Sequence, residues 1–293
     1  MTKEHEKIAN KISGLVVLLI SYTIAYMIGF IVFNLLINRV PILVVILLSD
    51  IAATFGIYLI SVIYKSPSIY DPYWSVQTFM IGLSLMIEFD SFSVGAILFL
   101  IVVGLYSARL TINFIITFND ITYIDWRYVK IREKYPKFFL LISLFGIHMM
   151  PTLLVYAASL PFFMYIINLL EFSPIDLIGL IIMLLGIIIS LVSDIEMHRF
   201  KKYRKSNKDL INKGLWKYSR HPNYFGEITF WVGMAFVYFL RVPDEFYFIF
   251  GALGIYLLFI FITIPLEENH LKKYKRNYEM YKKDHRMLLP FRK

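Results

Sequence analysis

Long apolar runs constrain the fold of this chain more than any other feature of its sequence. Five runs approach the roughly 20 residues that an α-helix needs to cross about 30 Å of hydrocarbon: 15–37, 42–63, 94–118, 175–195 and 246–265. Three others are less regular: 75–87 is short, 138–170 is long and contains Pro151 and Pro161, and 225–240 follows a polar motif. The sequence therefore predicts an all-α fold, a polytopic transmembrane helical bundle of seven to eight spans.

Composition supports this class. Hydrophobic residues make up 58% of the 293-residue chain and the mean hydropathy is +0.65, whereas soluble domains contain about 45–50% apolar residues. Cysteine is absent, which excludes disulfides, thiolate metal sites and cysteine nucleophiles. No repeat, low-complexity tract or flexible linker divides the sequence, so we expect one integral membrane domain over 1–293.

The basic residues follow the topology of a membrane protein. The net charge is +9, but nearly all Lys and Arg fall in alternate loops when the N-terminus is placed inside. This positive-inside pattern predicts cytoplasmic N- and C-termini, and it argues for the membrane bilayer rather than nucleic acid as partner. Arg109 falls within a span, at a cost of at least about 2.5–3.5 kcal/mol. We therefore expect it to face the bundle interior and to be functional.

A dense polar motif occupies 219–227, between a basic segment and an apolar one. Arg220 and His221 offer cations for a phosphate or carboxylate, while Asn223 and Glu227 offer hydrogen bonds. Tyr224 adds an aromatic ring. The alternative is an interfacial anchor, in which these side chains contact lipid headgroups.

Further polar residues flank this motif. Asp194, His198 and Lys201 follow helical spacing and share one face, and Trp216 precedes the motif. His270 and Tyr274 are one helical turn apart in a lysine-rich stretch, which alternatively forms a surface helix on anionic lipid. The inventory suits a large anionic cofactor with a flat ring, or S-adenosylmethionine. Soluble nucleotide-binding motifs are missing, so the cytoplasmic loops and helix ends must form the cofactor site; no motif supports a metal site.

At this point the sequence resembles a known family. The run 214–227, Gly-Leu-Trp-Lys-Tyr-Ser-Arg-His-Pro-Asn-Tyr-Phe-Gly-Glu, resembles the C-terminal domain signature of the steroid 5α-reductase family, in particular its bacterial branch. Shorter agreements occur at 107–111, 125–128, 193–194, 200–201 and in the ending 281–291. The resemblance covers roughly 70–293 and is best over 107–293.

The resemblance implies an NADPH-dependent oxidoreductase of the bacterial cell membrane. Its expected reaction is reduction of a carbon–carbon double bond conjugated to a ketone, in a lipid or steroid-like substrate. The residues that it implies for cofactor binding are Arg109, Asp194, Lys201, Trp216, Arg220, His221, Asn223, Tyr224, Glu227, His270 and Tyr274. Two positions depart from the family pattern, because Ser190 replaces an asparagine and Lys201 an arginine. Lysine keeps the charge but loses the bidentate geometry.

The first half lacks the family's ketone-polarising glutamine–glutamate pair and tyrosine. Tyr73, Gln77 and Tyr106 are therefore the candidate catalytic residues, because a phenol or amide can stabilise a developing enolate. The alternative function is methyl transfer from S-adenosylmethionine, since isoprenylcysteine carboxyl methyltransferases share the Arg-His-Pro element and a late pair resembling Glu267–Glu268. A third is a non-catalytic membrane scaffold or lipid-binding protein. No protein partner is implied.

Overall fold

The computed structural model describes the backbone of residues 3–289 and the side chains of residues 5–289. Pro290 and Phe291, part of the ending that resembles the reductases, lie outside these described residues. Within them the chain forms helices and no β-strand. The α-helices are α1 (Lys3–Leu36), α2 (Ile42–Ile63), α3 (Tyr73–Glu88), α4 (Val94–Thr117), α5 (Trp126–Lys134), α6 (Phe139–Ile142), α7 (Met150–Ile167), α8 (Asp176–Tyr203), α9 (Pro222–Phe239), α10 (Ile249–Leu258), α11 (Ile264–Tyr274) and α12 (Tyr278–Asp284).

Six helical stretches of the described chain are long and apolar enough to cross a membrane. They are His5–Leu36, Ile42–Ile63, Val94–Thr117, Pro136–Ile167, Asp176–Tyr203 and Pro243–Tyr274. The predicted all-α polytopic bundle is confirmed, and the protein is an integral membrane protein. The predicted count of seven to eight spans is not confirmed, because two of the eight apolar runs are not among these six stretches. The run 75–87 forms α3, which has 16 residues where a span needs roughly 20, and the run 225–240 lies in α9, which has 18 residues.

Two π-helical segments lie immediately before prolines in these spans. Ser143–Met149 precedes Pro151, and Phe259–Thr263 precedes Pro265. Proline has no N–H, and its ring clashes with the carbonyl group one turn earlier, so a wider turn accommodates it. Within the long run 138–170, Pro151 is therefore accommodated by a π-helical segment, and the helix continues through Pro161.

The chain forms two compact units. Unit 1 comprises Met1–Glu88 and Tyr106–Tyr156, and unit 2 comprises Phe89–Leu105 and Ala157–Lys293. The single membrane domain expected over 1–293 stays a prediction. The core of unit 1 is mixed apolar and aromatic, and its buried members include Leu18, Ala25, Ala53, Ile57, Ile69, Tyr70, Tyr73 and Phe118.

Close packing of α8 against α9 organises unit 2. Gly186 and Gly226 face each other: a Cβ on Gly186 would lie 2.6 Å from the Gly226 carbonyl oxygen. Further along α9, a Cβ on Gly233 would lie 2.6 Å from the Met183 nitrogen. Small residues at such crossings let membrane helices approach backbone to backbone. The first turn of α9, which carries the polar motif, is thereby fixed against α8.

A buried ion pair fixes the start of α8. Asp176 is 0% exposed, and Arg241 Nη1 lies 3.0 Å from both of its carboxylate oxygens. The Tyr165 hydroxyl donates to Asp176 at 2.8 Å and the Ser173 N–H donates at 2.9 Å. These contacts satisfy the carboxylate inside the protein, which is the condition under which a buried charge is tolerated.

Candidate functional site

The polar motif lies at the N-terminus of α9. His221 is the residue before the helix and Pro222 is its first residue, where the missing proline N–H removes no intrahelical hydrogen bond. The chain just before it is also held, because the Arg220 N–H donates to the Arg286 carbonyl at 3.0 Å and Ser219 pairs with Arg286. The motif is therefore built from a helix start and the C-terminal end of the described chain.

Asn223 is the residue of the motif best prepared to bind a ligand. Its backbone carbonyl accepts a hydrogen bond from Ser190 Oγ at 3.0 Å, which locks this turn to α8. Its side-chain oxygen, Oδ1, is buried and has no hydrogen-bond partner among the described residues. Buried polar atoms are almost always paired, so an unpaired amide oxygen in a prearranged turn points to a ligand donor.

Arg220 and His221 are held by a carboxylate inside unit 2. Arg220 Nε and Nη2 both lie 2.8 Å from Glu268 Oε1, and Nη1 donates to the carbonyls of Lys282 at 3.0 Å and His285 at 2.7 Å. His221 Nε2 is 3.4 Å from the same Glu268 oxygen, and Lys282 Nζ is 2.6 Å from Oε2. We call Arg220, His221, Glu268 and Lys282 the ion cluster.

Burial in the ion cluster lowers the pKa of the His221 imidazole, and the neighbouring Glu268 opposes that shift. Four of the five Arg220 N–H groups are engaged: Nε–H, both on Nη1 and one on Nη2. The geometry thus gives Arg220 a structural use. The contact of Arg220 and His221 with a cofactor stays a prediction.

A C-terminal strap, residues 275–289, runs alongside the polar motif. The Tyr281 hydroxyl donates to the Trp216 carbonyl at 2.8 Å, and the Trp216 indole N–H donates to the Ser193 carbonyl at 3.1 Å. His285 lies between the Tyr281 carbonyl at 2.9 Å and Asn212 Oδ1 at 3.0 Å. Trp216, predicted to contact a cofactor, therefore links α8 to the strap.

The loop before Trp216 is shaped by α8. Gly214 has a φ of +58°, and a Cβ there would lie 1.7 Å from Glu196 Oε1. The Leu215 N–H donates to the other Glu196 oxygen at 2.9 Å. Glycine is required at this position both for the left-handed backbone and for the close approach of the carboxylate.

The remaining candidates of unit 2 lie on three helices. Tyr224 stacks on the His221 ring at 5.3 Å and contacts Phe259 at 4.9 Å. His270 and Tyr274 lie one turn apart on α11 with ring centroids 4.6 Å apart. In the last turns of α8, Asp194 is half-buried and Lys201 is exposed. Glu227, in the first turns of α9, is buried.

Unit 1 holds the predicted catalytic residues and Arg109. Tyr73 and Gln77 share one face of α3, and both are buried. Tyr106 and Arg109, one turn apart on α4, are buried as well, and the guanidinium lies 5.6 Å from the Tyr106 ring centroid. The burial of Arg109 agrees with the expectation that it faces the interior. The catalytic and cofactor roles of these four residues stay predictions.

Asp50 is a functional candidate that the motif search missed. It lies on the spanning helix α2, is 2% exposed, and its carboxylate accepts a short hydrogen bond from the Gln77 amide. Thr54, one turn after Asp50 on α2, hydrogen-bonds to Tyr73, one turn before Gln77 on α3. Asp50 can be identified from the sequence, because an acidic residue inside an apolar run is a functional candidate by default.

A known protein family matches most of the chain. The profile of a family described as "Protein of unknown function (DUF1295)" matches residues 57–285. The chain belongs to this family. The matched range starts before the resemblance noted near residue 70, and it includes the polar motif, α11 and most of the strap.

Curated relatives confirm the resemblance to steroid 5α-reductases. The proteins named 3-oxo-5-alpha-steroid 4-dehydrogenase 1 from Homo sapiens and Macaca fascicularis are each 30% identical to this chain over 119 residues. The match covers 41% of this chain and 42% of each relative. The chain thus spans about two fifths of the length of the curated relatives it matches. No solved structure matches it.

Proposed function

We propose that this protein is a membrane-embedded, NADPH-dependent reductase of a carbon–carbon double bond conjugated to a carbonyl group, in a lipid or steroid-like substrate. We place it in a bacterial cell membrane with both termini in the cytoplasm. The observation that carries the proposal is Asn223: a buried amide oxygen with no partner among the described residues, inside the run that resembles the reductases. The names of the curated relatives support the same reaction class.

The residues of unit 2 fit a nucleotide. The unpaired Asn223 oxygen accepts a hydrogen bond from a carboxamide or amino group of the ligand, and the rings of His270 and Tyr274 offer stacking surfaces. Lys201 supplies a cation for a phosphate, and Asp194 supplies a carboxylate for a ribose hydroxyl. NADPH bound there would supply the hydride for the double bond, while the chain's own residues orient it and exclude water.

The residues of unit 1 fit the proton half of the reaction. Reduction of a conjugated double bond leaves an enolate that needs a proton, and hydrogen-bond donors near its oxygen stabilise it. Tyr73 on α3 offers a hydroxyl, and Asp50 on α2 offers a carboxyl group. Gln77 holds Asp50 by its amide. We assign proton donation to Tyr73 and Asp50, with Gln77 and Tyr106 as supporting polar groups.

The ion cluster argues against methyl transfer. Glu268, one of the two late glutamates shared with the methyltransferases, has one oxygen on Arg220 and the other on Lys282. Its carboxylate is therefore engaged within the protein. The remainder of the motif, Asn223 through Glu227, resembles the reductases.

The cofactor assignment is tested by calorimetric titration of the detergent-purified protein with NADPH. Asn223→Ala removes the buried amide oxygen and should weaken NADPH binding by about 5- to 30-fold, because such a contact is worth about 1–2 kcal/mol. Asn207→Ala is the matched control, since its side chain is exposed and only its backbone carbonyl accepts a hydrogen bond. Equal NADPH affinity in Asn223→Ala and Asn207→Ala would remove Asn223 from the site.

The proton assignment is tested by NADPH oxidation with a panel of lipid enones. Tyr73→Phe and Asp50→Asn should lower kcat by about 100-fold or more, the usual worth of a general acid, while NADPH affinity is kept. Tyr58→Phe is the control, because its hydroxyl makes one long contact of 3.4 Å to the Leu140 carbonyl. Full turnover in both test variants would show that the proton comes from elsewhere.

A further inference from the structure

The ion cluster joins three segments that are far apart in sequence. Arg220 precedes α9, Glu268 lies on α11, and Lys282 belongs to the strap. Both side-chain contacts of Arg220 with the strap go to backbone carbonyls, those of Lys282 and His285. The arginine therefore recognises the path of the strap rather than its side chains.

We propose that Arg220 is a positioning residue that latches the strap and α11 to the start of α9, and that this latch sets the affinity for the cofactor. The inference rests on the proposed function, because it assigns His270 and Tyr274 to the cofactor site. In this proposal Arg220 positions the strap and does not itself contact the cofactor. Its side chain is 8% exposed, and four of its five N–H groups have protein oxygens as hydrogen-bond acceptors.

The latch acts through the rotation of α11. Successive residues of an α-helix are about 100° apart, so His270 lies about 200° and Tyr274 about 240° around the helix from Glu268. The two rings therefore share the side of α11 roughly opposite to Glu268. Pinning the Glu268 carboxylate on Arg220 fixes the direction in which both rings point.

Other contacts hold the strap on either side of this latch. Before α12 the strap is tied to the loop that follows α8, where Lys275 Nζ donates to the carbonyls of Asn207 at 2.8 Å and Asp209 at 2.9 Å. Between these contacts and His285, the Arg220 side chain holds the strap to the start of α9, and the Tyr281 hydroxyl holds it to the Trp216 carbonyl. A charged hydrogen bond to a buried carbonyl is stronger than a neutral one, so Arg220 contributes more to holding the strap than the Tyr281 hydroxyl does.

The test combines hydrogen exchange with nucleotide titration. Arg220→Lys keeps the charge but cannot reach Glu268 and two carbonyls together, and Glu268→Gln keeps the size but loses the charge. Both variants should speed amide exchange in 275–289 and weaken NADPH about tenfold or more, with kcat at saturating NADPH kept. The control is Lys272→Gln with Glu279→Gln, which removes an exposed ion pair of the same region and should change neither.

A double-mutant cycle separates positioning from general stability. If Arg220 acts through α11, then His270→Ala and Arg220→Lys together should weaken NADPH less than the product of their separate effects. If the effects of His270→Ala and Arg220→Lys on NADPH affinity are independent, the proposed latch is wrong. It is also wrong if amide exchange in 275–289 is unchanged in Arg220→Lys. A wild-type protein that does not bind NADPH overturns the proposed function instead, and the exchange comparison then still decides whether Arg220 holds the strap.

Discussion

Replacing Gly226 by alanine tests whether the α8–α9 contact positions the site. A Cβ at Gly226 would lie 2.2 Å from Ser190 Oγ, 2.6 Å from the Gly186 carbonyl oxygen and 2.7 Å from the Ser190 nitrogen. Against the 3.4 Å of an ordinary contact, the shortfall is 1.2 Å at the hydroxyl and 0.8 Å at the carbonyl oxygen. The hydroxyl can rotate away, but the two backbone atoms can move only if the helices separate.

The size of the effect follows from this separation. A gap of about 0.5–1 Å forfeits a quarter to a half of the dispersion energy between facing atoms, and overpacking costs about 1–3 kcal/mol. Two backbone clashes place Gly226→Ala near the upper end, at about 3 kcal/mol. Rotation of the Ser190 hydroxyl also breaks its bond to the Asn223 carbonyl, so we expect NADPH affinity to fall with stability.

Thermal unfolding in detergent and NADPH titration measure both effects. A loss of about 3 kcal/mol corresponds to a fall in melting temperature of roughly 6–12 °C. Gly146→Ala is the matched control, because the nearest atom to its Cβ would be Ile142 Cγ2 at 3.7 Å. A Gly226→Ala protein that melts with the wild type and binds NADPH equally would refute the close-packing argument.

Three further outcomes are expected. Arg241→Gln leaves the buried Asp176 carboxylate without its cation and should destabilise the protein by about 3–5 kcal/mol, measured by thermal unfolding, whereas an unchanged melting temperature would contradict the ion pair. Burial raises the pKa of the half-buried Asp71 to about 6, above its unfolded value of about 4; the native state binds this proton more tightly, so stability should fall as pH rises from about 4 to 6. Asp71→Asn should flatten that slope, and an identical pH profile would sink the assignment. Gly214→Ala forces a left-handed backbone and a clash with Glu196 and should lower the melting temperature, while an unchanged value would mean that the loop relaxes freely.

Matched controls accompany these variants. For Arg241→Gln the control is Lys272→Gln, since the Lys272–Glu279 pair is exposed on both sides and exposed pairs contribute about 0–1 kcal/mol. For Asp71→Asn it is Asp120→Asn, because Asp120 caps a local turn through Thr122 and lies outside the Asp71 contacts. A control that behaves like its test variant would show that the buried geometry is not the cause.

Much of the fold could be predicted from hydrophobic periodicity. The runs 42–63 and 94–118 coincide with α2 and α4 within one residue, because a span of about 20 apolar residues has few alternatives to a helix in lipid. The run 75–87 was harder, since α3 is too short to count as a span by length. The π-helical segments could not be foreseen beyond the prolines that cause them.

The site was predicted in part, for reasons that differ by residue. Local sequence locates Asn223 and His270, because the motifs that carry them are contiguous. It cannot show that Arg220 is engaged by Glu268, since these residues are 48 positions apart and meet only in the folded chain. Asp50 belongs to no motif, although its charge within an apolar run is visible in the sequence.

The central claim is that the site binds NADPH and not a methyl donor. Calorimetric titration of the wild-type protein in detergent, with NADPH, NADH and S-adenosylmethionine in turn, tests it most directly. The account predicts saturable binding of NADPH that is tighter than that of NADH, and no heat with S-adenosylmethionine. Binding of S-adenosylmethionine without NADPH would contradict it.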